Sequence, residues 1–537
     1  MLKITGVNIP LSADFSNAAA LLSGHLGISS DKISFARLVR RAVDARKKNQ
    51  IHYVCSFEFA VKGNESQFLT KYASKKVAFT EDRKSFDDTL SVLKNSIGCK
   101  SKVYIIGSGP AGLFAAYTLG KAGFCPVLLE RGECVEKRTE KVNSFWKTGK
   151  FDPTSNVQFG EGGAGTFSDG KLNSGIKDPR CKFVLETFSR FGGGEEILYE
   201  AKPHIGSDRL FHTVRNMRRE IENMGEVKFG HRLTDIIVEN GRLTAIEVEA
   251  RGEKKIYPCS RLVLALGHSA RDTFEMLRTR GIFMEQKPFA MGVRIEHPQH
   301  IINEAQYGKG FDSRLPAADY KLSAHLKNGR GVFSFCMCPG GQVVAAASEE
   351  GGVCTNGMSL SARDGQNANS AILVNVRPED FGSPDPLAGV YLQRKIEQAA
   401  FKAAGQNYFA PIQLAGDFLK NRPSEKLGEV VPTYLPGVSF APLESYLPKF
   451  ITESIREALP IFGRKIRGFD TDGAVLCGPE ARSSCPLRMV RSQRGDSNIK
   501  GIYPCGEGAG YAGGIMSAAV DGIKTAQSIM EATENDG

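Results

Sequence analysis

An α/β protein built on a Rossmann-like parallel sheet is what this sequence predicts, and three observations carry the prediction. A short apolar strand at residues 103–106 runs into glycines at 107, 109 and 112. An Ala- and Leu-rich helix follows, and a second buried strand, Pro126-Val-Leu-Leu-Glu130, closes the unit with a carboxylate. Far along the chain, residues 261–267 and 502–506 repeat the pattern of an apolar run ending in glycine.

The 537 residues exceed one compact core, so two or three domains are expected. Residues 1–98 read as an N-terminal ferredoxin-like α/β domain. A strand is expected over 3–8, a helix over 18–26, and long strands over 32–43 and 51–61 around the polar turn Asp44-Ala-Arg-Lys-Lys-Asn-Gln50. This domain carries fifteen Lys and Arg against nine Asp and Glu, with Tyr53, Phe57 and Phe59 alternating on one strand. Basic charge interleaved with aromatics is what an RNA-binding sheet uses. The glycine-aromatic pattern of such sheets is missing, so packing or docking of a partner is the better expectation.

A Rossmann-like domain is expected over 99–280. Its three glycines let the chain turn sharply, approach a pyrophosphate and pack a helix against the sheet, with the helix N-terminus facing the phosphates. Gly107, Ser108, Gly109, Pro110, Ala111 and Gly112 are therefore expected at a dinucleotide, with Glu130 on the ribose and Arg131 and Arg138 at ribose and phosphate. The same GxGxxG spacing recurs at 160–165 and 508–513 without the rest of the unit. Alone, the motif admits NAD, NADP or FAD.

A glycine-rich, helix-poor insert is expected over 151–194. Within it, Val157-Gln-Phe-Gly-Glu-Gly-Gly-Ala-Gly-Thr-Phe-Ser-Asp-Gly-Lys-Leu172 has five glycines and no helical period, the mark of backbone lying against a ligand. Gly162, Gly163, Ala164, Gly165, Thr166, Asp169 and Lys171 are expected to cover the cofactor. Residues 210–224 have helical spacing, and 227–249 alternate as strands around Asn240-Gly241, a hairpin signal. Leu233 on these strands joins the expected site. A mixed α+β substrate domain is expected over 281–470, with strands in 289–296, 332–337 and 343–347 and helices in 387–404 and 447–459. Residues 471–537 return to the nucleotide domain.

Bulk properties bound the function. The net charge of +11 is diffuse, and no apolar stretch is long enough to span a bilayer. The N-terminus lacks a signal-peptide core, which gives a cytoplasmic expectation. Twelve cysteines include no CxxC pair, so no metal site is expected and the thiols are expected reduced.

Three separated segments then converge on FAD. Leu264-Ala-Leu-Gly267 resembles the middle element of the FAD site in flavoproteins with two dinucleotide domains. Ile502-Tyr-Pro-Cys-Gly-Glu507-Gly-Ala-Gly-Tyr-Ala-Gly-Gly-Ile-Met516 resembles the last. That likeness adds Gly267, Gly506, Glu507, Gly514, Ile515 and Met516 to the site. Glu507 would accept a ribitol hydroxyl in place of the usual aspartate, and the amides after Gly513 would stabilise charge on the reduced ring. The whole chain resembles the bacterial family of predicted FAD-dependent dehydrogenases. The likeness rests on the fingerprint at 107–112, the 159–172 segment, Phe335-Cys-Met-Cys-Pro-Gly-Gly-Gln-Val-Val344, Thr355-Asn-Gly-Met-Ser359 and Glu480-Ala-Arg-Ser-Ser-Cys-Pro-Leu-Arg488. It implies a glutathione-reductase-like fold and non-covalent FAD, and names no substrate.

Catalytic groups are read from the second half. Cys336 and Cys338 occupy same-face positions of a strand before a Pro-Gly-Gly turn, and Cys338 is taken as the thiol presented to the flavin. Arg482 and Arg488, with Arg491 and two serines nearby, are taken as a clamp for an anionic substrate. His268, a lone histidine, is read as structural. With no second complete dinucleotide unit, NAD(P)H enters only as a transient reductant. The expected reaction passes a hydride between flavin N5 and a small organic substrate. The alternatives are a flavin-dependent RNA-modifying protein and an electron carrier with a protein redox partner.

Overall fold

The apolar run at 103–106 forms the middle of a five-stranded parallel sheet. In the computed structural model, which describes residues 1–80, 86 and 101–536, Lys102–Ile106 lies between Leu262–Leu264 and Cys125–Glu130, with Ile502–Pro504 and Glu226–Phe229 at the edges. Every pairing in this sheet is parallel. Such sheets are covered on both faces, which is why these strands read as near-continuous apolar runs. One face packs under the helices Pro110–Lys121, Ser207–Glu222 and Ile515–Asp536. The other packs against an antiparallel meander of His231–Glu239, Arg242–Ala250 and Glu253–Pro258. The Asn240-Gly241 hairpin forms with both residues at positive φ, as its turn requires. The meander's third strand is an addition to the sequence reading.

Close approach sets the helix positions. A Cβ on Gly112 would stand 1.8 Å from the carbonyl oxygen of Gly107, and one on Gly522 would stand 2.2 Å from that of Ala111. The first helix is thus pressed against its strand and the C-terminal helix against the first.

The second domain is a seven-stranded sheet in the order Ser323–His325, Gly331–Cys338, Asn367–Val376, Phe289–Pro298, Val475–Glu480, Ala410–Leu414, Val438–Phe440. Its neighbours are antiparallel except the last pair. The return to the first domain therefore falls later than residue 471, because Val475–Glu480 is hydrogen-bonded inside this sheet. The insert over 151–194 also differs from expectation, since it contains the helix Arg180–Phe188. Four buried residues of that helix, Phe183, Val184, Thr187 and Phe188, give it one packed face.

The N-terminal strands Leu2–Ile9, Ile33–Asp44, His52–Val61 and Val77–Phe79 form a wholly antiparallel sheet in the order second, third, first, fourth, with helices Ala18–Leu26 and Glu65–Tyr72 as crossovers. That is the ferredoxin-like arrangement. Phe57 and Phe59 have no exposure and belong to its core, so they form no aromatic platform for RNA. The domain docks on the main body through Arg41, whose backbone pairs with Tyr199 and Ala201 at 2.7 and 2.8 Å while its guanidinium meets Glu200. The expected boundary at 98/99 lies outside the described residues. Among those described, no helix is long and apolar enough to cross a membrane.

Candidate active site

A cavity of about 330 Å³ lies at the C-terminal ends of the parallel strands, where doubly wound sheets hold ligands. Gly107, Gly109, Pro110, Ala111, Glu130, Arg131, Leu233, Gly267 and Glu507 form its wall on the sheet side. Ser108 and Gly112 stand behind that wall. Ser108 is fully buried and donates through its amide at 2.9 Å and its hydroxyl at 2.8 Å to Glu130, which also accepts from the amides of Gly132 and Gly160. Glu130 thus ties three turns together as well as facing the cavity. Arg131 is held by Asp272 and Thr273 and lies over the Phe159 ring, 4.4 Å from its centroid.

The glycine-rich segment forms the opposite wall with Gly163, Ala164, Gly165, Asp169 and Lys171. Gly162 and Thr166 lie behind it, packed on each other, since a Cβ on Gly162 would meet the Thr166 hydroxyl at 2.0 Å. Arg138 is placed differently from the sequence reading. It is fully buried and donates to the carbonyls of Asn156, Val157, Gly160 and Glu161, so it pins the segment from behind. Burial pushes its guanidinium down to about 10. Asp169 pairs with Lys171 at 2.6 Å and with Arg363, and Lys171 also donates to the carbonyl of Met337, joining the segment to the second domain. Burial would raise the Asp169 carboxyl, but the two cations outweigh it and hold the group at about 2.

At the far end, Gly513, Gly514 and Ile515 bring the start of the C-terminal helix to the cavity. Gly506 and Met516 do not reach it. The Gly506 amide donates to Asp521 at 2.7 Å, and Met516 is packed in the core. Glu507 does face the cavity, and its carboxylate makes no hydrogen bond or ion pair to a described residue. Burial raises it to about 7.

The expected catalytic trio is rearranged. Arg482 lines the cavity but is buried and engaged, with Nε and Nη2 each 2.7 Å from a Glu397 oxygen. Arg488 points elsewhere, pairing with Glu285 at 3.3 Å and lying over Tyr511, and Arg491 pairs with Asp521. The anion clamp therefore does not assemble. Cys338 has no exposure, and Cys336 is the thiol on the cavity. A β-bulge separates them: Phe335 pairs with Ala371 and Cys338 with Asn369, leaving two residues opposite one. Cys336 sits at φ +42°, a strained conformation for a side chain larger than glycine's.

Around Cys336 the field is cationic. Arg294, fully buried, donates to both Glu480 oxygens at 3.0 Å, to Asn369 at 2.9 Å and to the Cys336 carbonyl at 2.6 Å. A hydrogen bond from Cys338, then Lys171 and Arg294, push the Cys336 thiol well down from its ordinary value. The same pairing and burial push Cys338 up. Burial raises Glu480 to about 7 against Arg294, and His268, also on the cavity, is held neutral by burial and the nearby arginines Arg482 and Arg271. Cys336 and Ser483, which the sequence reading set beside Cys338 and Arg482, are themselves on the cavity, while Glu480, Gln158 and Asn356 are cavity residues it did not single out. For Cys336, the only available signal was a second cysteine beside a Pro-Gly-Gly turn.

The residues present fit a dinucleotide. At Gly109 a Cβ would find its nearest atom 3.8 Å away, and at Gly267, Gly513 and Gly514 nothing within 4 Å. Gly109 has φ −70°, so neither backbone nor protein neighbour demands glycine there. A ligand's close approach does. The helix that Gly109 opens has no side-chain cap, leaving its first amides free for phosphate.

The family described as "FAD-dependent protein, C-terminal domain-like" matches residues 288–483, "Pyridine nucleotide-disulphide oxidoreductase" matches 101–291, and a domain of unknown function matches 1–60. An uncharacterized protein of Clostridium beijerinckii is 47% identical over 536 residues, covering 99% of this chain and 98% of its own. Among solved structures, flavin-dependent brominase Bmp2 is 12% identical over 80% of this chain and 79% of its own, with a TM-score of 0.38. The FAD-complexed glycerol-3-phosphate dehydrogenase of Bacillus halodurans is 11% identical over 83% and 67%, with a TM-score of 0.36. This chain shares one family with its Clostridium relative, and its matching family models make it an FAD-dependent oxidoreductase.

Proposed function

We propose that the protein passes a hydride between flavin N5 and a small organic substrate with an apolar body and an anionic end. One observation carries this reading. A second cavity, of about 490 Å³, shares Phe335, Ser483 and Gly513 with the first and is walled by Phe289, Phe333, Leu373 and Val376. An apolar room beside the C-terminal helix start is where a substrate would meet the ring. Arg377, also on this cavity and exposed, is the group offered to an anion. It takes over the role that Arg482 and Arg488 do not fill.

FAD supplies the two-electron chemistry when bound, and Gly107, Gly109, Glu130, Arg131, Leu233, Gly163, Gly165, Gly267, Glu507 and Gly514 would hold it. The protein's share is to exclude water, to orient both partners and to place the amides at the head of the C-terminal helix where negative charge grows. NAD(P)H would serve as a transient reductant only.

The test is anaerobic reduction of the bound flavin by NADH, NADPH and a panel of aromatic and aliphatic carboxylic acids, read by bleaching. Bleaching by an acid, slowed by Phe335→Ala and weakened in affinity by Arg377→Gln, is expected. Bleaching by NADH or NADPH alone, with no organic acid accepted as substrate or oxidant, would leave an electron carrier as the better reading.

A further inference from the structure

Cys336 and Cys338 are placed as a pair whose members have opposite surroundings. One is on the cavity, strained at φ +42°; the other is sealed beneath it. The Cys338 thiol donates to the Cys336 carbonyl at 3.2 Å, which folds it back onto the residue it would pair with. The bulge that holds them so is fixed from both sides. Arg294 grips the Cys336 carbonyl, and Lys171 donates to the carbonyl of Met337 between the two cysteines. Bulges beside active sites re-aim a side chain, and this one turns a thiol toward the place a flavin ring would take.

We propose that Cys336 and Cys338 form a redox-active dithiol/disulfide couple that exchanges two electrons with the flavin. In the reducing direction the S–S bond breaks, each sulfur takes one electron, and the pair leaves as one thiolate and one thiol after taking up one proton. The electrons and that proton come from the two-electron-reduced flavin, which returns to its oxidised state, so atoms and charge balance. One sulfur is left as thiolate beside Lys171 and Arg294, whose Nη2 lies 3.9 Å from the Cys338 sulfur, and the other keeps the proton. The other nine described cysteines lie elsewhere in the fold and are free thiols. This proposal rests on the flavin occupying the first cavity.

Two measurements on the full-length protein test it. Anaerobic dithionite titration of holoprotein first oxidised with diamide and freed of the reagent should consume four electrons per flavin, falling to two in Cys336→Ser. Separately, protein stripped of flavin and treated with diamide should yield an intramolecular Cys336–Cys338 link, seen by mass spectrometry as a peptide two hydrogens lighter and resistant to alkylation. Uptake of two electrons by the wild type overturns the proposal even if the link forms, since the pair is then out of the flavin's reach. Unchanged uptake of four in Cys336→Ser overturns it too. A protein that binds no flavin defeats the reading of the cavity instead, while the link assay still reports on the cysteines.

Discussion

Arg482 and Glu397 meet in the interior with two nitrogens on two oxygens, both at 2.7 Å. Arg271 grips the same carboxylate at 2.9 and 3.0 Å. The three groups come from different places: Glu397 from helix Ala388–Ala403 of the second domain, Arg271 from helix Arg271–Thr279 of the first, and Arg482 from the segment that returns between them. Arg482 and Ser269, joined at 3.0 Å, both line the cavity. An ionic clasp thus locks the two domains together around the site.

Breaking that clasp should unfold the protein sooner. Glu397→Gln leaves the buried Arg482 without its charge partner and Arg271 with Glu349 alone, a loss of about 3–5 kcal/mol by the usual cost of stranding a buried ion. Burial would raise the Glu397 carboxyl, but Arg271 and Arg482 hold it at about 2. A carboxyl depressed by folding contributes stability above its unfolded value and loses it as pH falls through the folded one, here from about 4 to about 2. Denaturant titrations should show the variant less stable at neutral pH and less sensitive to acid within that window. Equal stability at neutral pH would dismiss the clasp.

Two glycines of one motif should fail differently. Gly109→Val places a side chain in open space at an ordinary φ, so the fold should survive and only flavin binding should be lost. Gly112→Ala drives a Cβ to 1.8 Å from the Gly107 oxygen, so thermal stability and flavin should fall together. Visible absorbance and the unfolding midpoint, measured on both, separate the roles. A yellow Gly109→Val protein would contradict the placement of the pyrophosphate.

Arg138 offers a test at a residue that never touches the cavity. Arg138→Met strands the carbonyls of Asn156, Val157, Gly160 and Glu161, each unpaired buried group costing about 1–3 kcal/mol. The glycine-rich segment should then become open to proteases, and flavin affinity should drop about tenfold or more, the equivalent of about 1.4 kcal/mol. Unchanged proteolysis would show that the segment holds its shape without the arginine.

The contrast between Arg138 and Gly109 explains what the sequence could convey. Gly109 sits in a local motif whose strand, turn and helix all lie within thirty residues, and local chemistry dictates its place. Arg138 looked like a phosphate ligand because it follows Glu130. Its partners, though, are carbonyls of a loop with no regular hydrogen bonding, and no periodicity announces those. Cys336 and Cys338 show the same limit. An ideal strand gives both the same face, and one extra residue opposite Ser370 breaks the equivalence through a register that only the folded sheet defines. Val475–Glu480 reads as part of the nucleotide domain yet pairs within the second domain's sheet, because a buried strand's composition does not say which sheet it joins.

Glu507 should reverse the pH behaviour of Glu397. Burial raises its carboxyl to about 7, so folding favours the protonated form. Stability from such a group is full below the unfolded value and is lost as pH rises from about 4 to about 7. Flavin-free Glu507→Gln protein should therefore match the wild type near pH 4, by the same linkage, and melt at a higher temperature near pH 8, roughly one unit above the folded value. Loading FAD should narrow that gap, because a ribitol hydroxyl donating to the carboxylate favours the ionised form that burial penalises. A gap that widens on loading would remove Glu507 from the ribitol, whereas a variant less stable than the wild type near pH 8 would mean that the carboxylate has a partner within the protein itself.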